Sequence, residues 1–133
     1  MLFRSRLVLA TWAPEGSVVD MFRVIQSCKS TPKDPKPSPF AWGETGRLVE
    51  LCGESFDLGF EEGTSFYRES SGAAAWESFS TGFGPVVSLL EELDVDEAVR
   101  FRSELEIYFE RFRTGAGILV PREYVITVGK RRP

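Results

Sequence analysis

The chain has 133 residues, 42% of them hydrophobic and 27% charged, which fits one globular domain or one large piece of a domain. Its 16 basic and 20 acidic residues give a formal net charge of −4; the basic face of a phosphate-backbone binder is missing, and no nucleic-acid partner is expected. The chain has no histidine, which removes Ser-His-Asp and Cys-His catalysis and most zinc chemistry. Its two cysteines, Cys28 and Cys52, are too few for a disulfide framework and too far apart for a zinc pair, so free thiols are expected.

Arg6-Leu-Val-Leu-Ala-Thr-Trp12 is a short, nearly continuous apolar run that stops at the turn Ala13-Pro-Glu-Gly16. Its length and composition predict a strand buried on both faces, as in a parallel α/β sheet. It is far too short to cross a bilayer, and no signal-peptide pattern is seen, so a cytoplasmic protein without a membrane partner is expected. Val18, Met21, Phe22 and Ile25 then recur at helical spacing behind Gly16 or Ser17 as a cap.

Ser30 to Pro39 holds four prolines among polar residues, which rules out helix and sheet ladder alike. With Phe40 and Trp42 it predicts a flap over residues 30–42. Glu44 to Cys52 reads as a short helix with Leu48 and Leu51 inward and Gly53 as its cap. Phe56 to Arg68 is an extended stretch with Gly59 and Gly63 as candidate bulges. Helices follow over Gly72–Ser80 and Val86–Leu93. Asp94-Val-Asp-Glu97 has the form of a capping box for a long helix whose stripe is Ala98, Phe101, Leu105, Tyr108 and Phe112. Arg122 to Val128, rich in β-branched and aromatic residues, is the last strand.

Few of these segments carry chemistry. Gly115-Ala-Gly117 closes a helix and leads into a strand, the reverse of a nucleotide-binding loop, so helix termination accounts for it. The pairs Glu61-Glu62 and Glu91-Glu92 point to different sides of their elements and fit solvated faces. Lys130-Arg131-Arg132 fits a solvated tail. The aromatics at element ends say more. Trp12 ends the first strand, and open α/β sheets place ligands at the carboxyl ends of strands. Thr11, Trp12, Phe40 and Trp42 are therefore the candidate substrate-binding residues; packing of the same aromatics, with Phe83, is the competing account. No catalytic base, cofactor-binding residue or metal ligand is assigned.

The order of these segments resembles the second half of the UbiE-like (methyltransferase type 11-like) class I S-adenosylmethionine-dependent methyltransferases. Arg6–Trp12 resembles that family's fifth strand, followed by Pro14-Glu-Gly16, a helix and a variable insertion. Ala75-Trp-Glu-Ser-Phe79 with Gly84-Pro85, and the ending Pro121-Arg-Glu-Tyr-Val-Ile-Thr-Val-Gly129, resemble recurrent patterns of one branch. The resemblance spans about Arg6 to Arg131. It implies an α/β fold: a partial Rossmann-like sheet of three strands with about five helices, the last strand inserted antiparallel between the first two. It also implies methyl transfer to a small-molecule acceptor, with this chain as the acceptor side and lid.

The family's cofactor-binding half has no counterpart here, so the chain alone is expected to bind no S-adenosylmethionine and to be inactive. Met1-Leu-Phe-Arg-Ser5 stands where the family has Arg-Pro-Gly-Gly, and Leu-Phe-Arg-Ser is what a common sequencing-library adapter encodes. Residues 1–5 are therefore expected to be non-native, the true chain having been cut upstream. Residues 6–133 are the C-terminal part of a single domain on this reading. Leu7–Thr11, lacking a neighbour, is expected to be an exposed edge that invites self-association. The alternative from another class is a complete, non-enzymatic small α+β binding or interaction protein.

Overall fold

The computed structural model describes residues 5–29 and 38–133. Most of the expected flap, residues 30–37, and four of the five expected non-native residues lie outside these. The elements are β1 (Arg6–Trp12), α1 (Ser17–Ser27), a 3-10 helix (Pro39–Gly43), α2 (Thr45–Cys52), β2 (Phe56–Glu69), α3 (Gly72–Gly82), α4 (Gly84–Glu92), α5 (Val95–Glu110), β3 (Arg113–Thr114) and β4 (Gly117–Arg131). The sheet order is β1-β4-β2, with the short β3 paired to β4. The α/β class and the five α-helices among the described residues match expectation.

The chain divides into two compact units. Among the described residues the first holds 5–19, 38–65 and 122–133, and the second 20–29 and 66–121. In the first unit, β1 and β4 pair antiparallel from Arg6↔Lys130 to Trp12↔Tyr124. β2 also runs antiparallel to β4, because Gly59 neighbours Val128, Gly63 neighbours Tyr124 and the Ser65 hydroxyl reaches the Arg122 carbonyl. No parallel pairing is present among the described residues, so the expected parallel character of the sheet is not seen.

The expectation of a β1 buried on both faces is corrected. Its residues alternate half-buried and exposed, and Val8 is 64% exposed. β1 is an outer strand, so Val8 lacks a lateral neighbour on one side. Leu48 is fully buried as expected, but Leu51 is 49% exposed. The two lie three residues apart, about 60° from one another on the same side of α2, so Leu48 fills the buried line and Leu51 its open margin.

The second unit is built around aromatics. Ser71 caps α3 by accepting from the Ala74 N–H, and Asp94 and Glu97 close a full capping box on α5. The predicted stripe of α5 buries Phe101, Leu105 and Tyr108, and Phe109 joins them. They pack with Met21, Ile25, Ala75, Trp76, Val86, Leu89, Ile118 and Val120 into one core. Trp76 meets Phe101 edge-on at 5.6 Å, and Tyr67 meets Phe79 edge-on at 5.4 Å. Each fully buried large side chain contributes roughly 1.5–3 kcal/mol. Phe83 contacts Phe79 and Phe22, so the packing account holds for that residue. Cys28 and Cys52 are free and half-buried.

Candidate functional site

The C-terminal end of β1 lies in the first unit. There β1 stops at Ala13-Pro14, and Gly16 turns the chain into α1 with φ +105°, a conformation that suits glycine. The 3-10 helix seats on the same end. A Cβ on Gly43 would lie 2.2 Å from the Trp12 carbonyl oxygen, so only glycine permits this approach. The Thr11 hydroxyl lies 3.3 Å from the Trp42 carbonyl oxygen and 3.4 Å from that of Val125.

Thr11, Trp12 and Trp42 are thus brought together. Phe40, 9% exposed, is buried within the same unit, an anchoring position and not a contact surface. Trp12 is 38% exposed and Trp42 50% exposed. The Arg122 guanidinium lies over the Trp12 ring, 5.4 Å from its centroid, a cation–π arrangement that restrains the ring.

Just beyond Trp12 is a cleft of about 550 Å³, lined by the Ala13–Gly16 turn, Glu62–Thr64 of β2 and Glu123–Tyr124 of β4. Its shape depends on two glycines. The Tyr124 ring lies across Gly63, where a Cβ would fall 2.4 Å from the phenol oxygen. The Glu123 Oε2 lies 2.5 Å from the place of a Cβ on Gly16, and it is buried without a hydrogen-bond partner. Glu15, Glu62 and Glu123 line the cleft with no lysine or arginine among them. No group of three or more acids or cysteines among the described residues converges as a metal site. None of the four predicted residues lines this cleft; Thr11 and Trp12 directly precede its Ala13–Gly16 wall in sequence. Sequence reasoning passed over Glu123; the signal was a carboxylate directly before the mostly apolar run Tyr124–Val128.

The second unit has a smaller cleft of about 400 Å³ at Arg68–Ser70 and the β3–β4 hairpin. Its one carboxylate, Glu69, is engaged internally by the Ser70 N–H at 2.9 Å and the Ser78 hydroxyl at 3.3 Å. Gly117 turns that hairpin with φ +111°; α5 has already ended at Glu110, so Gly115–Gly117 makes a strand-to-strand turn and not the expected helix end.

At the strand-to-helix turn Ala13–Gly16 the open side of Gly16 is filled by the Glu123 carboxylate. No protein-family model matches the chain, and no curated protein matches it. No helix among the described residues is long and apolar enough to cross a membrane.

Proposed function

We propose that this chain is the acceptor-side half of a class I S-adenosylmethionine-dependent methyltransferase, the donor being held by a half that this sequence lacks. One observation carries the reading. β4, last in sequence, lies between β1 and β2 and runs antiparallel to β1. That is the order the family resemblance implies for this end of the sheet, and chance pairing of three strands offers others.

In this reading the acceptor is a small apolar or aromatic molecule bound at the C-terminal end of β1. Trp12 and Trp42 present their exposed rings to it, and Thr11 holds the Trp42 backbone in place. Positioning a nucleophile against the donor supplies much of the rate in such reactions, so no base from this chain is required. The test is calorimetric titration of the chain with S-adenosylmethionine. The expected result is no binding heat, and micromolar binding overturns the missing-half account. Upstream DNA encoding the missing strands and a glycine-rich loop is the second expected finding.

The alternative, a non-enzymatic α+β binding protein, accommodates the same antiparallel pairings and is set apart by its behaviour in solution. It predicts a monomer at every concentration and one cooperative unfolding transition.

A further inference from the structure

The hydrogen-bond parity of β1 defines which of its backbone groups face outward. The Arg131 N–H donates to the Ser5 carbonyl at 3.1 Å, and the Ala13 N–H donates to the Glu123 carbonyl at 3.0 Å. Both belong to the same continuous antiparallel register. In such a register bonded and non-bonded pairs alternate, so Leu7, Leu9 and Thr11 spend their N–H and C=O groups on β4. Arg6, Val8, Ala10 and Trp12 direct theirs away from it. Gly43 already sits on the Trp12 carbonyl. Arg6, Val8 and Ala10 remain, on an outer strand that pairs with β4 alone among the described residues.

The two outer strands of the sheet are guarded differently. β2 carries Asp57, Glu61 and Glu62 in the first unit, a run of negative charge that repels a second β2. β1 carries only Arg6. Beside its open edge, Val8 and Val128 face each other across the β1–β4 pair, 64% and 46% exposed, as a short apolar stripe.

We propose that the Arg6–Ala10 edge pairs with the same edge of a second copy of this chain, antiparallel about a twofold axis through Val8. Arg6 then faces Ala10 of the other copy, Val8 faces Val8, and each facing pair exchanges two backbone bonds. The two Val8–Val128 stripes join into one. Charge selects the orientation. One end of β1 is basic, with Arg6, Lys130 and Arg131 exposed, and the other is acidic, with Glu15 and Glu44 exposed. Antiparallel pairing sets the basic end of each copy beside the acidic end of the other, and parallel pairing would stack like on like. The twofold arrangement uses both edges up and closes as a dimer. Five residues per copy fall short of the roughly 20 a side of a lasting interface, so the dimer is reversible and forms between micromolar and millimolar concentration. The proposal stands independently of the methyltransferase reading.

Sedimentation velocity across that range tests it together with amide hydrogen exchange. The expected result is a concentration-dependent monomer–dimer shift. The Val8 and Ala10 amides gain protection with concentration, while those of Leu7 and Leu9 are protected throughout. Ala10→Pro removes an outward donor without touching the β4 ladder, and Val8→Lys places like charges face to face. Each weakens the dimer by about tenfold or more. Val49→Lys, at an exposed apolar site on α2, leaves it unchanged. A monomer at millimolar concentration overturns the proposal. So does a dimer indifferent to Ala10→Pro and Val8→Lys, or Val8 and Ala10 amides already protected in the monomer.

Discussion

The Gly72 N–H donates to the Glu110 carboxylate at 2.7 Å, joining the start of α3 to the end of α5. The first N–H groups of a helix have no partner within it, and a carboxylate there satisfies one and meets the positive end of the helix dipole. Arg113 grips the same carboxylate, with Nη2 at 2.7 Å from Oε1. The Arg113 hydrogen bond, then that of Gly72, lower the Glu110 pKa from 4.5 to about 2.

That lowering makes the contact a pH-dependent one. A group whose folded pKa lies below its unfolded value stabilises fully above the unfolded value and loses that contribution as pH falls through the folded one. Glu110→Gln is therefore expected to lower the thermal midpoint at pH 7. The difference from wild type should shrink as the pH falls below about 4.5 and vanish near pH 2. Equal midpoints at pH 7 would show that the link contributes nothing.

Gly72 has its own constraint. A Cβ there would lie 2.8 Å from the Glu106 carbonyl oxygen and 2.9 Å from Glu110 Oε1. Backbone cannot yield as a side-chain tip can, so α3 and α5 must separate. Gly72→Ala is expected to cost about 1–3 kcal/mol in urea unfolding, although alanine is the better helix former. A gain in stability would mean that the two helices are not in this close contact.

Gly43 tests the seat of the 3-10 helix. The 2.2 Å approach to the Trp12 carbonyl leaves no room for a methyl group, so Gly43→Ala should lift this helix off β1. The expected loss is about 1–3 kcal/mol, with a red shift in tryptophan emission as Trp12 and Trp42 gain water. Thr11→Val removes only the hydroxyl beside the Trp42 carbonyl, and its smaller effect should point the same way. An unchanged spectrum in both variants would separate Trp42 from the end of β1.

What the sequence disclosed and what it hid follow from locality. The capping box of Asp94 and Glu97, the stripe through Phe101, Leu105 and Tyr108, and the bounds of β1 are written in adjacent residues, and all are found in place. Gly63 could be read only as a candidate bulge, because its partner Tyr124 is 61 positions away; the glycine serves a ring crossing the strand. β3, two residues long, has no pattern of its own and exists because Gly117 turns the hairpin. Leu51 read as inward because the residue type is apolar, yet about half of its surface is open. The candidate site was half legible. Thr11 and Trp12 are read from the end of one strand, but the approach of Trp42 to Thr11 spans 31 positions and has no local signal, and the acidic cleft nearby is assembled by tertiary pairing of β2 and β4.

Thr127 offers a test in the middle of β4, where it faces Leu9 across the pair. It is fully buried and its hydroxyl has no hydrogen-bond partner. A buried polar atom left unpaired costs about 1–3 kcal/mol, whereas an apolar group of the same shape carries no such penalty. Thr127→Val is therefore expected to stabilise the protein by about 1 kcal/mol, raising the urea midpoint with the slope unchanged. Thr127→Ala removes a packed methyl as well and should lose most of that gain. Destabilisation by valine would mean that the hydroxyl is paired in solution, and that the interior beside β4 is more polar than its neighbours imply.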